Sequence, residues 1–157
     1  MKGKFKYTKF QIVVEFIALF ILLAMFVYPI LVWNTIPDQI PGHYNGVGEI
    51  DRWGDKKELL IIPIISIGPY LLLTAVVHYP SAWNIPVTVT QKNIAKVGQC
   101  IRSMVILMKA EVMLLFFYLT YHGIQAKPLS PYFLSVVLTV IFGTLLFFFI
   151  RLYKVSK

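Results

Sequence analysis

The chain is poor in cysteine and in charge. Its 157 residues contain one cysteine, Cys100, so no intrachain disulfide can staple an exposed loop. That thiol is read as packing, with no redox role. Charged residues make up only 14% of the sequence, and just seven are acidic. Five of those seven, Asp38, Glu49, Asp51, Asp55 and Glu58, fall between Asn34 and Glu58. No glycine-rich phosphate loop, nucleophile elbow, HExxH pattern or cysteine pair is present. Ser66 and Ser103 lie in apolar runs, where hydroxyls bond back to the backbone. Nothing forms a catalytic dyad, so the expectation is a protein that is not an enzyme and carries no cofactor or metal.

What is abundant is apolar surface. Hydrophobic residues account for 58% of the chain and the mean hydropathy is +0.73. A water-soluble body of this size cannot hide so much, because too large a share of a small domain is surface. The net charge of +8 does not indicate nucleic acid, since the basic residues sit at the edges of apolar runs and not in one patch. That placement suits lipid headgroups. The predicted fold is all-α: an integral membrane bundle of four transmembrane helices forming a single domain over residues 1–157. The spans are expected near 10–32, 59–77, 97–121 and 132–150, each close to the roughly 20 residues a bilayer requires. The first run is too long for a signal h-region and lacks a small-x-small cleavage site, so it is expected to remain as a span. Pro63, Gly68 and Pro69 predict a kink in the second.

Flanking charge gives an orientation. The N-terminal tail holds Lys2, Lys4, Lys6 and Lys9; the connection from His78 to Arg102 holds Lys92, Lys96 and Arg102; the C-terminal tail holds Arg151, Lys154 and Lys157. The positive-inside rule therefore places both termini and the second connection in the cytoplasm, and the loop 34–58 outside. The expected location is the cytoplasmic membrane, crossed several times. Rings at Tyr28, Trp33, Tyr118, Tyr121 and Tyr132 mark headgroup depth.

That outer loop is dense in turn formers. Pro37 and Pro41 favour extended or turn backbone, Pro41-Gly42 and Asn45-Gly46 are turn dipeptides, and Gly48 suits left-handed geometry. His43–Asn45 and Glu49–Asp51 are predicted to pair briefly across the turn, with Trp33 and Trp53 holding the loop near the bilayer. His43 with Asp38, Glu49, Asp51 and Asp55 has donors suited to a divalent cation. The spacing matches no closed zinc pattern, and the preferred reading is structural: His43 and Asn45 fix the turn while Asp51 pairs with Arg52 or Lys57. In the second connection, Pro80 and Pro86 predict an extended start, and Thr90 is expected to cap a helix from about Gln91.

The run W-x-x-I-P-D-Q-I-P-x-H-Y-N-x-x-G-E-x-D-R-W-G-x-K, Trp33 to Lys56, resembles the signature of a bacterial membrane domain of unknown function. That domain forms the N-terminal part of SdpI-like proteins, which confer immunity to a sporulation-delaying peptide toxin and take part in signal transduction. P-V-T-V-T-x-x-N, with Pro86, Thr90 and Asn93, resembles a second feature of the same family. The resemblance covers the chain to about residue 102. It implies a sensor or immunity-type protein whose outer loop recognises an extracellular peptide or envelope signal, with a cytoplasmic regulator as a further partner. The full immunity proteins carry an additional C-terminal membrane domain, whereas this chain ends after four expected spans, so the resemblance points to the domain more than to the activity. Nothing in it sets an oligomeric state.

Four charged residues fall inside the spans. Glu15 is expected to pair with Arg102 or Lys109, which are seven residues apart and share a helix face. Glu111, about 200° around the helix from Lys109, faces a different neighbour or a polar cavity. Because charges in lipid are costly, these residues also support a contrasting reading, a small transporter or channel subunit whose pathway they line. Met104, Met108 and Met113 are read as packing and His122 as reaching to the interface.

Overall fold

The computed structural model describes residues 6–157, so Lys2 and Lys4 of the basic tail lie outside the described residues. Four long helices and one small hairpin follow in order: α1 Lys9–Leu31, β1 Gln39–Tyr44, β2 Ile50–Asp55, α2 Ile61–His78, α3 Ile94–Gln125 and α4 Phe133–Ser156. Short 3-10 turns lie at Trp33–Thr35, Lys56–Leu60 and Pro80–Ala82.

α1 begins with a reciprocal cap. The Thr8 hydroxyl accepts from Gln11 N–H, and Gln11 Oε1 accepts from Thr8 N–H, pairing two amides that have no carbonyl partner in the helix. Pro63 sits in the first turn of α2, where no helical N–H is required, and Ser66 donates to its carbonyl at 2.7 Å. Pro69 and Pro29 lie inside α2 and α1, and each removes one helical donor.

α3 is the hub. It packs along α1, α2 and α4, whereas α4 packs chiefly on α3. Gln11 meets Gln99 and Ser103, Lys109 meets Thr74, and Asn93 meets Ser156. Consecutive helices therefore alternate in direction, and α1 runs parallel to α3. The main core joins Ala18, Met25, Val77, Val97, Ile106, Met113 and Phe148.

Three helical segments, Lys9–Leu31, Lys56–His78 and Phe133–Ser156, are long and apolar enough to cross a membrane. Their outer faces carry exposed Phe16, Phe20, Leu31, Leu72, Phe142 and Leu146, a surface suited to lipid. α3 differs because its interior position lets it carry Arg102, Lys109 and Glu111.

Two local expectations are corrected. The second connection does not start extended: Pro80–Ala82 forms a 3-10 turn, since proline's fixed φ suits the first position of a helical turn. Trp83 Nε1 then donates to Val76 O at 2.7 Å. Thr90 does act as a cap, its Oγ1 accepting from Asn93 N–H at 3.4 Å and its carbonyl from Ile94 N–H at 3.0 Å, but the helix starts later than Gln91. Asn93 Oδ1 takes the Thr90 N–H at 2.8 Å and Asn93 Nδ2 donates to Thr88 O and Ser156 O, so residues 90–93 form a turn and α3 starts at Ile94. Between them Trp83, Ile85, Val87 and Val89 alternate onto the core, leaving Pro86 exposed.

α3 ends on Ala126, in left-handed geometry at φ 50°. This conformation costs a Cβ-bearing residue roughly 1–2 kcal/mol. Ala126→Gly should therefore raise the unfolding midpoint in detergent; an unchanged or lower midpoint would argue against strain at this cap.

Candidate functional site

Two polar assemblies stand out in an otherwise apolar molecule: the hairpin at one end and an ion pair within the helices.

The hairpin is built by its turn and locked at its base. β1 and β2 pair antiparallel from Gln39↔Asp55 to Tyr44↔Ile50, with irregular register around His43. This ladder is longer than the brief pairing read from the sequence, because it extends back through Pro41↔Trp53. Asn45 organises the turn. Its Oδ1 accepts from Val47 and Glu49 N–H, and its Nδ2 donates to Glu49. His43 Nδ1 lies 2.6 Å from Asp51 Oδ1 across the strands.

That contact corrects the expectation for Asp51, which pairs with neither Arg52 nor Lys57. Adjacent residues on a strand point to opposite faces, and Arg52 turns toward Glu58 at 2.8 Å and Gly42 O at 2.7 Å. Gly42 and Gly54 make room for this pair, since a Cβ on either would fall 2.6 Å or 2.5 Å from its side-chain atoms. Asp55 instead caps the 3-10 turn through Lys57 N–H. Asp38 contributes its carbonyl to Lys56 N–H, and both it and Pro37 are exposed. Among the described residues no His, Cys, Asp or Glu cluster has metal-site geometry.

The hairpin does not float free of the helices. Ile36, Ile40, Leu59 and Ile124 bury one another beneath it. Lys56 Nζ donates to Ile36 O at 2.9 Å and rides over the Trp33 ring, 4.8 Å from its centroid. Trp53, by contrast, is exposed. At the tip, Leu129 N–H donates to Gly48 O at 2.8 Å, and Tyr44 Oη donates to Lys127 O at 3.2 Å. Burial pushes the Tyr44 phenol up to about 12, which keeps it a proton donor. His122 turns to Pro128 O at 3.0 Å and packs on Tyr118. These straps leave a groove of about 340 Å³ between β1 and the start of α4, lined by His43, Tyr44, Gly46, Leu129, Phe133 and Leu134.

Inside the bundle, the structure brings Glu15 and Lys109 together at 2.5 Å. Lys109 is 0% exposed. It also donates to Thr74 Oγ1 at 3.0 Å and lies 4.9 Å from the centre of the Tyr70 ring, so α1, α2 and α3 converge on one ammonium. Arg102, the other partner considered for Glu15, sits over the Tyr7 ring at 4.6 Å. Glu111 faces α4 and accepts from Thr144 Oγ1 at 2.5 Å. One turn before Glu15, Gln11 donates to Gln99 and Ser103 at 2.8 Å and 2.9 Å. This amide cluster went unread in the sequence; a glutamine inside an apolar periodic run was its signal.

Residues 20–67, from mid-α1 through the hairpin into α2, match a family described as a domain of unknown function, DUF1648. An uncharacterized protein of Archaeoglobus fulgidus is 29% identical over 151 residues, covering 84% of this chain and 81% of its own length. That similarity therefore reaches well beyond the hairpin region. No solved structure matches. Neither match names an activity. The chain is thus similar to an uncharacterised archaeal protein along most of its length, and the matched family segment spans the second half of α1, the hairpin and the start of α2.

Proposed function

We propose that this is a multi-pass protein of the cytoplasmic membrane, with α3 as a fourth span, both termini in the cytoplasm and the hairpin outside. In this reading it acts by binding and not by catalysis, as a sensor or immunity-type protein whose hairpin end recognises an extracellular peptide or envelope signal. The observation that carries it is the hairpin's attachment. A loop serving only to connect α1 and α2 would not require straps from Gly48 and Tyr44 to the α3–α4 connection beside an open groove. Those straps also link the hairpin to α3, which reaches the opposite end, where Lys92 and Lys96 would meet a cytoplasmic regulator. The transport reading has less support, because Glu15 and Glu111 lie on different helix interfaces and Lys109 is enclosed.

Orientation is tested first. A Cβ at Gly46 meets nothing within 4 Å, so Gly46→Cys should be silent for folding. In whole cells of a Cys100→Ala background, a membrane-impermeant maleimide should label Gly46→Cys and not Lys157→Cys. The reverse pattern would invert the protein and remove the recognition reading. A photo-crosslinker at Gly46 that captured no peptide or envelope component from intact cells, alongside ion flux in proteoliposomes lost in Glu111→Gln, would replace the sensor with a transporter.

A further inference from the structure

α4 meets α3 along one stripe, Phe133, Val137, Ile141, Thr144, Phe148 and Leu152, at the three- and four-residue spacing of a helix face. Only Phe148 and Leu152 are buried there. Toward the hairpin end the two helices part into a lateral groove of about 260 Å³. Its walls include Leu114, Leu115, Tyr118, Val137 and Val140, and Glu111 is among its lining residues. Leu114 and Val140 are half-exposed on the flank, so the groove opens sideways onto the lipid-facing surface.

Glu111 is incompletely paired. Thr144 satisfies Oε1, while Oε2 is buried and has no hydrogen-bond partner. No basic side chain lines the groove among the described residues. An acid in lipid seeks a partner of opposite charge or a donor. The groove offers one carboxyl group in a mostly apolar trough whose other polar lining residues are Tyr118, Ser130 and Tyr132, and that is the complement of an amphipathic cation.

We propose that this groove binds a lipophilic monocation, an ammonium head on a short apolar body, entering sideways from the bilayer. The ammonium N–H groups are received by Glu111 Oε2, and the body lies along Val137 and Val140. Glu111 is then the specificity residue, and Thr144 positions it. The inference does not rest on recognition at the hairpin: either can fail with the other intact.

Equilibrium dialysis of radiolabelled octylammonium against phosphatidylcholine nanodiscs, with and without the full chain, tests it, and octanol serves as the neutral control of matched length. The wild-type protein should add one saturable site for octylammonium and none for octanol. Glu111→Gln should weaken that site at least tenfold. Val137→Trp, which fills the trough and leaves the carboxyl in place, should abolish it. Equal binding by wild type and Glu111→Gln, saturable binding of octanol with the same affinity, or no saturable site at all would overturn the proposal. Were Glu111→Gln to lose its fold, the Val137→Trp protein decides alone, and undiminished binding there refutes the site.

Discussion

Lys109→Met should destabilise the helix bundle by about 3–5 kcal/mol, the range measured when one partner of a buried ion pair is removed. Lys109 is 0% exposed and its ammonium is shared by Glu15, Thr74 and the Tyr70 ring. Its loss takes the hydrogen-bond partner that Glu15 Oε2 has among the described residues, where Oε1 is already buried without one. Glu15→Gln should be milder, on the order of 1.5–3 kcal/mol: it leaves the buried Lys109 ammonium without a counterion, but the amide oxygen, Thr74 and the Tyr70 ring still receive it. The measurement is the unfolding midpoint and slope in mild detergent titrated with a denaturing one. The charge exchange, Glu15→Lys with Lys109→Glu, separates pairing from packing: it should recover a substantial part of the loss seen in the single variants. A double variant as unstable as the sum of the singles would show that the two side chains act independently.

Much of this arrangement was legible because membrane sequences state their polar exceptions openly. Glu15 and Lys109 stood out as charges in runs that otherwise lacked them, and helical spacing put Glu111 on another face. The turn at Asn45-Gly46 and the left-handed Gly48, at φ 86°, followed from residue chemistry. Choosing Lys109 over Arg102 for Glu15 was not legible, since it depends on how α1 slides against α3. The Gln11–Gln99–Ser103 cluster fixes that slide. Long-range choices of this kind also explain Asp51. Strand alternation made its turn toward His43 and Arg52's turn toward Glu58 a matter of which face the hairpin presents. Asn93 was read as part of a motif, but its reach to Ser156, at the far end of α4, has no signature in a local window. Nor did apolar content alone identify α3 as the hub. A helix enclosed by three neighbours can carry buried charge that an outward-facing apolar helix such as α4 could not, so its lower apolar content reflects its position among the other helices.

Gly48→Ala should detach the hairpin tip from the helices at a cost of about 2 kcal/mol, combining left-handed backbone strain with crowding. Two independent features set that size. At φ 86° a Cβ is disfavoured by its own backbone. The same Cβ would also stand 3.0 Å from Leu129 O, 3.1 Å from Leu129 Cβ and 3.1 Å from Ser130 O, two of which are backbone atoms that cannot swing aside. The local Gly48 O to Leu129 N–H bond would stretch first, and the Tyr44 to Lys127 bond next to it would follow. Because the main core lies elsewhere, α1 to α4 should stay assembled, so the change should be regional. Amide hydrogen exchange is the discriminating measurement. Protection should fall over residues 39–55 and 127–130 in Gly48→Ala while that of α3 persists; Gly46→Ala, which meets nothing, serves as the matched control. Uniform loss of protection would make the hairpin part of the global fold instead of a strapped cap. Unchanged protection would mean that the tip adapts without effort, and the mechanical link from hairpin to α3 would have no basis.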